Sequence, residues 1–243
     1  MRTPITYYGG KQQLADTIIG MMPSHKIYCE PYFGGGAVFF AKGKSYLEVI
    51  NDIDDRIITF YDVCQDEEKF LKLQQKIQNT LDSEREFMRA DKIWRHPENG
   101  YSDIETAWAV WYQCNMGYGG SPLGGWKWDN GTSGSHAGIV MDNYRNQFNY
   151  KVHERLKHVQ ISCRDALKVI AQRDSEDTFF FLDPPILVVS RNIIVASPSM
   201  IFSSSLICSV PLKESSSCVT LQVPCSMIIS IVRAGIFWKK TCR

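Results

Sequence analysis

Nowhere in the 243 residues does an uninterrupted apolar run approach the roughly 18 residues that a membrane-crossing helix needs. The start, Met1-Arg2-Thr3-Pro4-Ile5, leads into Tyr7-Tyr8-Gly9-Gly10 where a secretory signal would need an apolar core, so the chain is expected to be cytoplasmic. An excess of one charge is missing too: 27 Lys and Arg stand against 26 Asp and Glu, a net of +1. Any polyanion must therefore be met by a local patch. The eight cysteines form no C-x-x-C pair and no Cys/His quartet, and a chain this long does not need disulfide staples. They read as reduced thiols, and no metal site is expected. The G-x-G-x-x-G dinucleotide fingerprint is also absent.

What is present is the composition of a folded protein, 44% hydrophobic and 22% charged, with length for one large domain or two small ones. Gly9-Gly10 precedes a helical pattern over 11–22 carrying Leu14, Ile18, Ile19 and Met22, closed by Pro23. Ile27-Tyr28-Cys29-Glu30 reads as a strand, Gly34-Gly35-Gly36 as a turn, and 37–41 as a helix. A second strand, 47–50, ends at Asn51-Asp52-Ile53-Asp54, where Asp54 can cap the following helix. Two βα units in succession predict an α/β protein with a doubly wound parallel sheet. Residues 67–115 read as mostly helical, with Phe70, Leu73, Ile77 and Leu81 on one face and Trp108, Trp111 and Tyr112 as core. From 117 to 138 there are eight glycines and two tryptophans, too many for a core element and too long for a tight turn. A helix resumes near Met141, a strand covers 159–162, and the strand 179–182 runs into Asp183-Pro184-Pro185.

Several of these clusters suit chemistry. A glycine turn between strand and helix puts backbone N–H groups at the carboxyl edge of a sheet, where a nucleotide-like ligand can approach. Glu30-Pro31-Tyr32-Phe33-Gly34-Gly35-Gly36 has that layout. Asp52, at the end of the next strand, is placed to accept ribose hydroxyls. Asp-Pro-Pro makes an acceptor-rich corner without N–H donors, fit for a substrate amino group. Asp165 is either a helix cap or a ligand contact, and Lys11 either meets an anion or is solvated. Trp126-Lys127-Trp128 suits base or backbone contacts as exposed aromatics beside a cation. Arg85, Arg89, Lys92 and Arg95 lie on one helix face, which is either a phosphate-reading stripe or a solvated surface.

The final 58 residues differ in texture. Residues 186–243 hold six basic residues and one acidic, Glu214, a net of +5, while residues 1–185 hold 21 basic and 25 acidic, a net of −4. This tail also has 12 serines and four of the eight cysteines, and it shows neither helical nor strand periodicity.

Taken in order, Pro4-Ile5-Thr6-Tyr7-Tyr8-Gly9-Gly10-Lys11, the block from Tyr28 to Val38, Asn51-Asp52-Ile53-Asp54 and Phe181-Leu182-Asp183-Pro184-Pro185 resemble the Dam-type (D12 class) DNA adenine-N6 methyltransferases over residues 1–185. The resemblance implies a Rossmann-like methyltransferase fold with an inserted helical, loop-rich target-recognition domain. Residues 1–66 and 151–185 would form the catalytic domain and 67–150 the insertion. It implies S-adenosyl-L-methionine as cofactor, held by Tyr7, Lys11, Glu30, Pro31, Gly34, Gly36, Asp52, Asp165 and Asp183. Lys11 would reach the methionine carboxylate, Asp52 the ribose and Asp165 the adenine. Asp183, Pro184 and Pro185 match the first three residues of the catalytic D-P-P-Y. The implied substrate is double-stranded DNA with a flipped adenine, and a cognate restriction endonuclease is left open as a partner.

The pattern breaks at the fourth catalytic position, where Ile186 stands for an aromatic residue that would stack on the base, worth about 1–3 kcal/mol. Ile186-Leu187-Val188-Val189 can be encoded ATT TTG GTA GTN. Shifted by one base after a T, the same bases read TAT TTT GGT AGT, or Tyr-Phe-Gly-Ser, restoring D-P-P-Y. Ile193-Ile194-Val195-Ala196-Ser197 can likewise be read, shifted, as His-Tyr-Ser-Gly-Phe. The tail is therefore expected to be out of frame and the last strands of the sheet missing or non-native. Two rivals stay open: a noncatalytic remnant that binds S-adenosylmethionine or DNA, and a cytosine-N4 amino methyltransferase.

Overall fold

The computed structural model describes residues 1–120, 124–128 and 137–184, together with the backbone of four later strands. In chain order the elements are α1 (Ala15–Gly20), β1 (Ile27–Glu30), α2 (Ala37–Ala41), β2 (Leu47–Asp52), α3 (Asp55–Gln65), α4 (Glu67–Gln78), α5 (Glu84–Arg95), α6 (Asp103–Met116), α7 (Ala137–Gln147), α8 (Lys151–Leu156), β3 (Gln160–Cys163), α9 (Ala166–Arg173), β4 (Thr178–Leu182), β5 (Ile186–Val189), β6 (Ile193–Ala196), β7 (Ile228–Val232) and β8 (Gly235–Phe237). The expected helix over 11–22 is only six residues long. Residues 11–14 form turns instead, with Leu14 N donating to Lys11 O at 3.0 Å.

Packing divides the chain into two compact units. The first contains residues 1–21, 34–43 and 54–163. Its centre is α6, where every residue from Ala107 to Met116 is buried, so the tryptophans and tyrosine expected in the core are there. Helices α3 and α5 pack on α6. Phe70 of α4 stacks on Phe148 at 5.2 Å between ring centroids, and Phe60 faces Phe148 at 6.1 Å. Four successive helices start on a side-chain cap: Asp54 for α3, Asp66 for α4, Ser83 for α5, and a Ser102/Glu105 capping box for α6. Leu81 leaves the expected apolar face. Helix α4 stops at Gln78, so the i+4 spacing no longer applies and Leu81 is 68% exposed.

The second unit contains residues 22–33, 44–53 and 164–243. Its parallel strands run in the order β2-β1-β4-β7, with β8 antiparallel outside β7. Ile27 lies opposite Leu47 on one side and Thr178 on the other. Strand β4, Thr-Phe-Phe-Phe-Leu, is buried along its whole length, as a strand covered on both faces must be. Cys29, Val49, Val169, Phe180 and Leu182 form one apolar cluster, joining β1, β2, β4 and α9. Contrary to the texture of the tail sequence, its described parts are four short strands. The runs Ile193-Ile194-Val195 and Ile228-Ile229 are β-branched, which favours pleated structure even without alternation. Strands β5 and β6 pair as an antiparallel hairpin.

Candidate active site

In the second unit, three acids gather because parallel neighbours end together. Glu30 is the last residue of β1, Asp52 the last of β2, and Asp183 follows the last residue of β4. All three therefore stand at the carboxyl edge of the sheet, where open α/β sheets bind ligands. Glu30 is 3% exposed, and its Oε2 accepts the Tyr28 hydroxyl at 2.7 Å. Asp52, Asp183 and Pro184 are half-buried. Pro185, expected to complete the corner, lies outside the described residues, and of Ile186 only the backbone is described.

A residue without an assigned role in the sequence holds this edge together. Asn51 is fully buried; its Nδ2 donates to Pro31 O (3.0 Å) and Arg164 O (2.9 Å), and its Oδ1 accepts Arg164 N (3.0 Å). Its backbone oxygen accepts Phe33 N at 2.9 Å. One amide thus ties the turn after β1 to the residue before Asp165. Asp165 caps α9, its Oδ1 accepting Leu167 N (3.0 Å) and Lys168 N (3.3 Å), while its other oxygen has no hydrogen-bond partner among the described residues. The cap and the ligand contact are thus compatible. Tyr32 lies near enough that burial and the Asp165 charge together raise its phenol pKa.

In the first unit, Tyr7, Gly34 and Gly36 come together. Gly34 and Gly36 adopt φ of +47° and +62°, and a Cβ on Gly34 would stand 2.9 Å from Tyr7 Cδ1. The Tyr7 ring packs against the glycine turn, which only glycines permit. Tyr61 Oη fixes that turn from α3 by donating to Gly34 O at 2.9 Å. Lys11, one turn on, donates from Nζ to Gly9 O at 2.8 Å. Asn115, 2% exposed in α6, accepts Thr6 N (2.9 Å) and donates to Pro4 O (3.3 Å), anchoring the segment before Tyr7. An asparagine inside the apolar run 107–116 is the signal by which sequence could have found it.

Arg56 is a second unassigned residue. It donates from its backbone N, Nε and Nη2 to Asp54 (3.1, 2.8 and 2.7 Å) and from Nη1 to Trp94 O (2.9 Å). Its guanidinium lies 4.1 Å from the Trp94 ring centroid. Hydrogen bonding to Asp54 raises its pKa against the opposing effect of burial. The group pins the end of α5 to the start of α3. Arg56→Ala is expected to cost about 1–2 kcal/mol through the unpaired Trp94 carbonyl and the lost cation–π contact, a Tm lowered by about 5 °C in a circular-dichroism melt.

The thiols near these segments are structural. Cys29, Cys64 and Cys114 are free and buried, and burial pushes the Cys29 thiol up to about 12. Among the described residues no group of three His, Cys, Asp or Glu could hold a metal ion, and no helix is long and apolar enough to cross a membrane. In the glycine-rich segment, Gly117 bridges Trp126, with Tyr118 N donating to Gly125 O (2.9 Å) and Lys127 N to Met116 O (3.1 Å). That pairing draws Trp126 half into the protein, so of the two expected exposed tryptophans only Trp128, 67% exposed, is fully so; Tyr118 is 74% exposed. Residues 121–123 and 129–136 of this segment lie outside the described ones.

A comparison with curated proteins gives no match. The family model for D12 class N6 adenine-specific DNA methyltransferases matches residues 7–188. That span covers the glycine turn, the three acids at the sheet edge and the helices between them. With three quarters of its length matched, and with the α/β fold and parallel sheet such enzymes need, the chain belongs to the D12 class of adenine-N6 DNA methyltransferases.

Proposed function

We propose that the gene, read in the frame that restores an aromatic residue after Pro185, makes a site-specific enzyme that transfers the methyl group of S-adenosyl-L-methionine to adenine N6 in double-stranded DNA. The observation that carries this reading is the gathering of Glu30, Asp52 and Asp183 at the ends of neighbouring parallel strands, inside the family match. The cofactor supplies an electrophilic methyl on a sulfonium. The residues suit it chemically: acceptors at Asp52 and Asp165 match ribose hydroxyls and an adenine amine, Glu30, Pro31 and Asp183 add acceptors for the amino-acid end, and Lys11 offers a cation for its carboxylate. Tyr7, Gly34 and Gly36 would hold the methionine portion.

Adenine N6 is a weak nucleophile because its lone pair is delocalised into the ring. Asp183 and the Pro184 carbonyl would accept the two N6 hydrogens and favour a tetrahedral nitrogen in line with the methyl, so positioning and electrostatics supply the rate. The base must leave the duplex first, at a few kcal/mol of unstacking. Residues 1–66 and 151–185 would carry the chemistry and 67–150 the choice of site, with residues 186–243 an out-of-frame product. A restriction endonuclease of the same specificity is the partner this enzyme class suggests.

The test is to sequence the gene across the Asp183-Pro184-Pro185 codons, express both frames, and incubate each protein with DNA and S-adenosylmethionine carrying a labelled methyl. Label in N6-methyladenine from the restored frame supports the reading. Label in N4-methylcytosine, or cofactor binding without transfer by the restored protein, overturns it.

A further inference from the structure

Helix α5 puts four cations on the side opposite its buried residues. Phe87, Ala90, Ile93 and Trp94 are buried. At 100° per residue, the line opposite them runs through Arg85, Met88, Arg89, Lys92 and Arg95, all exposed, with Met88 at 59%. Glu86 and Asp91 fall to the flanks, and Glu84 stands at the N-terminal end of the helix on the side of Arg95. Asp91 holds Arg95 Nε through both carboxylate oxygens (2.9 and 2.8 Å), and Glu86 stands 3.9 Å from Arg89. Arg85 and Lys92 have no acidic partner among the described residues. By contrast, Lys69 and Lys72 of α4 are each matched, to Asp103 at 2.6 Å and Glu68 at 2.5 Å.

A further cation adds to this side of the unit. Lys76 Nζ and the Arg89 guanidinium both face the Trp108 ring, at 4.8 and 5.3 Å from its centroid. Burial, and then the Arg89 charge, lower the Lys76 pKa, while Glu105 and Glu86 act the other way. The crest is also held rigidly, since Arg56 clamps Trp94 at the end of the helix. It spans about 15 Å, and duplex DNA presents one phosphate per about 1.7 Å of axis, so several phosphates can face it.

We infer that the α5 crest, Arg85, Arg89, Lys92 and Arg95, is a phosphate track that grips the DNA backbone without reading bases, apart from the glycine-rich segment. The inference rests on DNA being the substrate, and charge complementarity selects DNA as the occupant. It is tested with the frame-restored protein, the one to which the proposed function belongs, and two fluorescein-labelled duplexes of unrelated sequence, titrated between about 50 and 200 mM salt. Arg85→Gln and Lys92→Gln together are expected to lower the slope of log affinity against log salt by about 0.9 per cation removed, equally on both duplexes. Lys72→Gln, which removes a matched cation on α4, is expected to leave the slope unchanged, and all variants should melt with the parent chain. A parent that binds DNA and a double variant with an unchanged slope overturn the track alone. A loss confined to binding of poly-glutamate assigns the face to an acidic protein and also overturns it. A parent that binds neither duplex overturns the track and the DNA reading together. A slope change in a chain that transfers no methyl group supports the track and counts only against the catalytic reading.

Discussion

Replacing Asp183 with alanine in the frame-restored protein is expected to cut methyl transfer to DNA by about a hundred- to a thousandfold while leaving the fold intact. The size follows from the role: a fixed acceptor aimed where charge develops in a transition state is typically worth that much when removed. Asp183 can hold such a position because it directly follows β4, whose five residues are buried and which pairs with β1 over Thr178 to Phe180 and with β7 over Phe180 to Leu182. Pro184, next in the chain, restricts the backbone there and removes an N–H that would compete for the carboxylate. Asp183→Asn keeps an acceptor oxygen but not its charge, and should retain more activity than the alanine variant. Single-turnover transfer of a labelled methyl group, with a circular-dichroism melt on each variant, separates chemistry from folding. Transfer at the parental rate by Asp183→Ala would remove the residue from the catalytic role.

The second large effect is on stability. Asn51→Ala is expected to destabilise the protein by about 3 kcal/mol, lowering Tm by about 6–12 °C. The side chain, at 0% exposure, bonds Pro31 O, Arg164 O and Arg164 N, so its removal takes a partner from three backbone groups, with the Pro31 bond buried and the two Arg164 bonds part-buried. Asn51→Asp should be no better. It keeps the acceptor for Arg164 N, but turns the donor that served two carbonyls into an acceptor facing them, and buries a charge. A thermal melt measures both, and an alanine variant within about 1 kcal/mol of the parent would contradict the account. Binding of S-adenosylmethionine by the alanine variant should weaken as well, because Asn51 sets the turn at Pro31 relative to the residue before Asp165.

Local patterns were legible where they arise from chain neighbours. Asp54 reads as a cap and is one, because an Asx side chain reaches the N–H two residues on whatever surrounds it. The strands ending at Glu30 and Leu182 were readable from short apolar runs bounded by Gly and Pro. Residues 11–14, however, carry a helical pattern and yet form turns, since apolar spacing alone does not say where hydrogen bonding starts. Leu81 matched a periodicity whose helix had already ended. Trp126 looked like an exposed aromatic until its segment paired with Gly117.

The candidate site divides the same way. Its acids and glycines were visible as types at spacings, and the resemblance they carried is the one the family match bears out. Asn51, Asn115 and Arg56 were not visible in their roles, because each acts on a backbone group 20 to 113 residues away in the chain.

From its order of residues alone this protein is an α/β methyltransferase-like chain with a glycine turn, an Asp-Pro-Pro corner and a break in character after Pro185, because motifs, caps and composition are local properties. Tertiary structure alone decided that Glu30, Asp52 and Asp183 share one sheet edge, that Tyr7 closes on Gly34, and that Arg85 and Lys92 of α5 stand exposed while Arg89 and Arg95 meet acids of their own helix. Those facts depend on strand order, register and helix orientation, which are set by long-range packing and backbone hydrogen bonds that no short window of sequence contains.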